Sequence, residues 1–263
     1  MNSSEASATK VVFGVTLRAD PAREPCFEVV QDPANLHDYH DMSEVSRRQR
    51  THRHMHNEMQ SIEISAQCLA DFPDTPWDLR MELARQCWDE SRHGRLLFRR
   101  LQEMGGRKGE FPVMNYEWSI SSMPDNLAGR LVLHNRSFEG GEMDLLKGFV
   151  AQWREAGDER SAELLDGILA DEVHHVRFAN RWLKRMVKDD PKVMLQMVTA
   201  LNYFKQVTDA YTPKDGDVNV VGGERTELTD TFPLDVEERR LAEFTEDEIA
   251  ALLRKDGLNA VVP

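Results

Sequence analysis

The sequence predicts an all-α fold: an antiparallel four-helix bundle with a fifth helix, an N-terminal arm and a short C-terminal helix. Three observations carry this. Apolar residues recur every three or four positions over four long stretches. Short Gly, Pro and Asp punctuation separates them. Two of the stretches hold closely similar five-residue acid–histidine strings, spaced as a duplicated helix pair would space them. Each stretch is about 40–50 Å long at 1.5 Å per residue, and long helices with short connections pack as a bundle.

Residues 1–40 read as a surface arm, with a β-like run at Val11-Val12-Phe13-Gly14-Val15 and prolines at 21, 25 and 33. Residues 41–211 form the bundle. The first helix runs over about 41–70 with Met55, Glu58, Ile62, Ser65 and Leu69 on one face. Thr75-Pro76 supplies a cap and first turn for the second helix, which carries Leu79, Leu83, Cys87, Leu97 and Leu101 and stops at Gly105-Gly106. Residues 107–123 read as a loop, and Pro124 opens a third helix reaching about Ala156. Gly157-Asp158 is a stop followed by a new cap for a fourth helix, to about Val187. Asp190-Pro191 opens the fifth, with Leu195, Val198, Leu201 and Phe204. Residues 212–263 form an extension: irregular over Thr212–Asp235, then a helix from a Thr245/Glu248 capping box to Gly257.

Composition narrows the function classes. The 263 residues are 30% charged and 40% hydrophobic, an ordinary globular mix. With 33 basic against 46 acidic residues the formal charge is −13 and the pI about 5.2, a field that repels phosphate backbones and disfavours nucleic acid as a partner. Apolar runs are too short for a membrane span, and Met1-Asn2-Ser3-Ser4-Glu5 lacks a secretory pattern. Cys26, Cys68 and Cys87 form no CxxC pair and cannot all pair in one chain, which points to a reducing, cytoplasmic compartment.

The chemistry lies in Asp89-Glu90-Ser91-Arg92-His93 and Asp171-Glu172-Val173-His174-His175. Each contains Glu-x-x-His, and residues i and i+3 of a helix share a face, so both side chains can reach one metal ion. A di-metal carboxylate bundle also needs one inward Glu from each of the other two helices. Glu58 and Glu139 answer that need. Glu139 follows Glu58 by 81 residues, and Glu172 and His175 follow Glu90 and His93 by 82 each, as in a duplication of two helix pairs. Glu139 sits in the stripe Ala128, Val132, Asn135, Glu139, Met143, Leu146, Val150, Trp153, where a carboxylate is costly unless paired or metal-bound. The predicted metal ligands and catalytic residues are therefore Glu58, Glu90, His93, Glu139, Glu172 and His175. Four carboxylates balance two metal(II) ions, and this oxygen-rich, two-histidine set suits iron, manganese or a mixed pair better than zinc or copper. Asp89 and Asp171 are expected to hold the outer ring nitrogens, Asp89 that of His175 and Asp171 that of His93, with Arg92 beside them.

Other residues compete. Glu142, one turn from Glu139, is a potential extra ligand, and Glu63 rivals Glu58 but breaks the repeat. His52, His54 and His56 alternate, so they do not share a helix face and make no joint site. His174 points away from His175. Trp88, Tyr116, Trp118, Trp153, Trp182 and Tyr203 read as core, as do Met186, Met194 and Met197. No phosphate loop or dinucleotide fingerprint is present.

At His56-Asn57-Glu58-Met59, Asp89-Glu90-Ser91-Arg92-His93, Phe138-Glu139-Gly140-Gly141-Glu142 and Asp171-Glu172-Val173-His174-His175, the chain resembles the ferritin-like superfamily, and more narrowly a bacterial DUF455-like family. The likeness covers most of residues 50–250. The Asp-Glu-x-Arg-His string is also similar to that of di-iron monooxygenases and ribonucleotide reductase small subunits. The resemblance implies a di-iron bundle that activates dioxygen, with ligands on the six residues already chosen. The acidic, flexible Gly140-Gly141-Glu142 departs from that pattern.

The expected function is a di-iron oxygenase, monooxygenase-like, that uses two iron ions and dioxygen to hydroxylate or otherwise oxidise a small organic substrate. Its partners are that substrate and an external electron donor, a ferredoxin or reductase, since no flavin or nicotinamide motif is present. A homodimer is compatible with the sequence. The alternatives are a ferroxidase or peroxide-scavenging metal-handling protein, favoured by Glu142, and a tRNA-modifying hydroxylase, which the charge opposes unless Arg47-Arg48-Gln49-Arg50 forms a basic patch. A helical binding module with surface acids is the non-enzymatic rival.

Overall fold

In the computed structural model, residues 8–37, 39, 41–211 and 232–259 are described. The β-like run is a hairpin: β1 (Thr9–Val12) pairs antiparallel with β2 (Val15–Arg18). Phe13 and Gly14 close it with φ of 49° and 80°, as a two-residue hairpin turn with left-handed central residues requires. Leu17 and Phe27 anchor the arm in the core, Trp118 Nε1 donates to the Ala19 carbonyl at 2.8 Å, and Val29 forms a parallel bridge with Val113.

The helices follow the predicted order, with corrections at their ends. Helix α1 spans Glu44–Asp71 behind a Ser43 cap, and α2 spans Trp77–Glu103. The expected Thr75 cap does not form. Pro76 occupies the cap position with no side-chain bond, which leaves the Thr75 hydroxyl one residue too early and without a partner. The predicted 107–123 loop contains a short helix, α3 (Tyr116–Ser121). The third long helix begins at Leu127 rather than Pro124, because Asn126 is the residue whose side chain accepts from a first-turn N–H, that of Gly129 at 2.8 Å. It runs as α4 (Leu127–Leu131), an eight-residue π-helix (Val132–Glu139) and α5 (Gly140–Glu155).

Helix α6 (Glu159–Asp189) follows Gly157, at φ 75°, and an Asp158 cap that accepts from Ser161 N at 3.0 Å. Helix α7 spans Val193–Tyr211. The predicted irregular stretch lies outside the described residues from 212 to 231. After it comes an unexpected helix, α8 (Val236–Leu241), behind an Asp235 cap. Helix α9 (Glu246–Asn259) opens with the predicted capping box, Thr245 N to Glu248 Oε2 at 2.7 Å and Glu248 N to Thr245 Oγ1 at 3.2 Å, but passes through Gly257 instead of stopping there.

Two apolar clusters form the core. One holds Met55, Leu97, Leu101, Met143, Leu146 and Ile168; the other holds Cys68, Leu79, Leu83, Leu131, Leu133 and Phe178. Along α1 the chain passes from the first cluster to the second, and along α2 it returns. The α4–α5 stretch runs in the same sense as α2, and α6 runs back. Each helix pair is thus antiparallel within itself, and the connection carrying α3 brings the chain back across. Trp88 and Met194, expected in the core, are exposed on the outer faces of α2 and α7, at 66% and 48%. Among the described residues, no helix is long and apolar enough to cross a membrane.

Candidate metal centre

Between the two apolar clusters, where α1, α2, the end of the π-helix and α6 meet, the structure brings together all six predicted ligands. Glu58, Glu90, His93, Glu139, Glu172 and His175 are each exposed by 3% or less. Each imidazole turns Nδ1 inward. Around His93 Nδ1 lie Glu90 Oε2 at 3.2 Å, Glu172 Oε1 at 3.3 Å and Glu58 Oε2 at 3.4 Å. Around His175 Nδ1 lie Glu172 Oε2 at 3.1 Å, Glu90 Oε1 at 3.3 Å and Glu139 Oε1 at 4.0 Å. Glu90 and Glu172 therefore offer one oxygen to each side, while Glu58 and Glu139 flank opposite sides. The result is two overlapping four-residue groups, each with its ligand atoms within 4.8 Å of one another.

The outer ring nitrogens are held as expected. His93 Nε2 lies 3.1 Å from Asp171 Oδ2, and His175 Nε2 lies 3.4 Å from Asp89 Oδ2. Arg92 joins the two acids, donating to Asp171 at 2.5 Å and to Asp89 at 3.2 Å, and Arg85 adds a contact to Asp89 at 3.3 Å. A carboxylate behind each ring fixes its tautomer and raises the basicity of the inner nitrogen.

Further residues belong to the centre. Gln86 donates to Glu139 and Glu90, and Asn135 Nδ2 donates to Glu139 Oε2 at 2.9 Å and to Gln86 Oε1 at 3.0 Å. Each sits one turn before a ligand, the spacing at which helix neighbours meet. His134 Nε2 lies 3.4 Å from Glu139 and 3.5 Å from the half-buried Glu117 of α3, a residue hidden within the predicted loop. Glu142 reaches His54, which also meets Glu58. His52 and His56 stay apart from the centre: His52 Nε2 accepts from Gly109 N at 2.9 Å, and His56 Nε2 accepts from Arg23 Nε at 3.2 Å. Glu63 is bound by Arg23 at 2.6 and 2.7 Å and does not join. His174 faces Glu82 and Arg85.

The centre concentrates more acid than its neighbours neutralise. Burial pushes Glu58 up to about 8, against the pull of His54 and His93. It also lifts Glu139 and Glu117 well above the carboxylate range, with nearby glutamates adding to the effect. Burial opposes charge on His93 and His175, yet the surrounding carboxylates carry both upward. The His93 hydrogen bond, helped by Arg92, holds Asp171 down to about 2. Glu58 Oε1 and Glu172 Oε1 are buried oxygens without a hydrogen-bond partner. Crowded acceptors of this kind fit cations placed among them. The π-helix ends on Glu139; such segments are rare and concentrate at functional sites.

The sequence profile of a family described as "Protein of unknown function (DUF455)" matches residues 2–250. No curated protein and no solved structure matches the chain.

Proposed function

The chain belongs to the DUF455 family, and we propose that it is a ferritin-like di-metal oxidoreductase, one that activates dioxygen to hydroxylate or otherwise oxidise a small organic substrate. The observation that carries this reading is the pair of buried imidazoles sharing Glu90 and Glu172, each with a glutamate of its own, Glu58 or Glu139. Glu58, Glu90, His93 and Glu172 would hold one ion, and Glu90, Glu139, Glu172 and His175 the other. The donor set favours iron, or manganese, over softer metals. Two ferrous ions would supply two electrons for the reduction of dioxygen.

The chain's own groups do the rest. Asp171 and Asp89 accept from the outer ring nitrogens, so that Nδ1 of each imidazole would offer its lone pair to an ion once one displaces the inner proton. Gln86 and Asn135 set the orientation of Glu139. The apolar clusters on either side limit the access of water to the centre. An external reductase or ferredoxin would return electrons between turnovers. A second reading, metal handling by a ferroxidase or peroxide scavenger, is favoured by the extra Glu142–His54 pair beside Glu58.

Anaerobic reconstitution with Fe(II), followed by iron counting and Mössbauer spectroscopy, tests the centre. At least two ions per chain are expected, two of them at the four-carboxylate, two-histidine centre. A count well below one overturns the proposal. Oxygen uptake that rises with an added organic substrate separates oxygenase from ferroxidase.

A further inference from the structure

We propose that His54, Glu58 and Glu142 form a third divalent-cation site at the outer edge of the paired centre, sharing Glu58 with it. His54 Nε2 lies 2.8 Å from Glu58 Oε1 and 3.0 Å from Glu142 Oε1, and the three donors fall within 4.8 Å of one another. A second observation points to a ligand. Glu58 Oε1 and His54 Nε2 are both buried, yet neither makes an aligned hydrogen bond, although they stand 2.8 Å apart. Glu58 Oε1 thus lies deep in the fold beside His54 without a well-directed donor, and a cation seated between the two atoms would fill that direction.

Glu58 is the hinge of this arrangement. Its Oε1 faces His54, while its Oε2 faces His93 at 3.4 Å. A cation captured by the outer oxygen is thus one carboxylate away from the inner centre. Exposure runs the same way: the Glu142 and His54 side chains are 26% and 13% exposed, against 3% for Glu58. The outer position is the more accessible one, and Glu58 leads from it inward. Because Glu58 serves both, this third position rests on the di-metal reading of the inner centre.

The test is anaerobic titration of the whole chain with Mn(II), with free Mn(II) read by electron paramagnetic resonance. Wild type is expected to take up about three ions, and Glu142→Gln and His54→Gln about two each, since loss of one of three ligands removes a site. Glu142 is partly exposed, so its amide isostere keeps the fold, and circular dichroism of the metal-free variant checks this; His54→Gln is the independent second variant. Two ions in wild type and in both variants overturns the outer site and leaves the inner pair standing. Three ions retained by both variants overturns it as well. No uptake by wild type overturns both readings.

Discussion

His93 and Asp171 meet across the molecule, Nε2 to Oδ2 at 3.1 Å, although 78 residues separate them. Neither is placed by its neighbours in sequence; both are placed by the packing of α2 against α6. Because Asp171 sets the ring's tautomer, Asp171→Asn weakens metal binding while leaving all six inner ligands in place. The expected loss is roughly 10–100-fold in affinity. Competition against a chelator of known strength measures it, and an unchanged dissociation constant would remove Asp171 from this role.

Metal binding and thermal stability are linked. A ligand that binds only the folded chain adds about 2.7 kcal/mol at a free concentration a hundredfold above its dissociation constant. Wild type should therefore melt higher when Mn(II) is added under anaerobic conditions. Glu90→Ala and Glu172→Ala remove the two shared carboxylates, so their melting temperatures should respond far less, by no more than the outer His54–Glu58–Glu142 position contributes. A metal-dependent rise as large as that of wild type in both variants would place the binding site elsewhere.

Gly140 joins the π-helix to α5 under a guanidinium. A Cβ there would stand 2.8 Å from Arg239 Nη1, and Arg239 is fixed by a 2.6 Å bond to Asp144 and by the Phe244 ring at 5.0 Å. Gly140→Ala should cost about 0–2 kcal/mol net, because overpacking against Arg239 is partly offset by the roughly 1 kcal/mol helix preference for Ala. In an Arg239→Ala background the same change should cost much less, which urea unfolding of the four-member cycle reads directly. Equal costs in the two backgrounds would show that the contact is not the cause.

His52 gives stability a pH dependence. Its ring is buried against Phe27 and Phe111, and burial, helped by Arg53 and Arg107, pushes it down to about 4. The unfolded ring takes up a proton near 6.5, so the folded state binds fewer protons between these values. The His52 contribution is complete above pH 6.5 and declines as pH falls toward about 4. His52→Gln should flatten the stability profile in that window and leave its slope above pH 7 unchanged. Urea midpoints at pH 7 and pH 5 decide it; identical slopes in both proteins would sink the assignment.

Local chemistry was legible in the sequence, and irregular backbone was not. The Glu-x-x-His strings and their 82-residue offset located the inner cluster because helix periodicity is a short-range property. The cross-pairing of Asp89 and Asp171 followed from what an outer imidazole nitrogen needs. The π-helix left no such mark: Val132–Glu139 carries an apolar stripe that suits an ordinary helix equally well. Helix α3 spans only six residues, less than two turns of pattern, and Glu117 was lost with it. His54 escaped for another reason. Its partner Glu142 lies on α5, and judging the three alternating histidines by their own helix face could not reveal it.

The doubled strings differ at one place that matters: the counterpart of Arg92 in the second string is His174. Arg92 reaches both outer acids, Asp171 at 2.5 Å and Asp89 at 3.2 Å, whereas His174 turns to Glu82 and Arg85. The halves of the centre are alike in ligands but differ in support: Asp171 has one short arginine contact, from Arg92, and Asp89 two longer ones, from Arg92 and Arg85. Arg92 is also 41% exposed, so dissolved salt can touch that brace directly. Ionic strength outside the molecule thereby gains a handle on how alike two interior positions are.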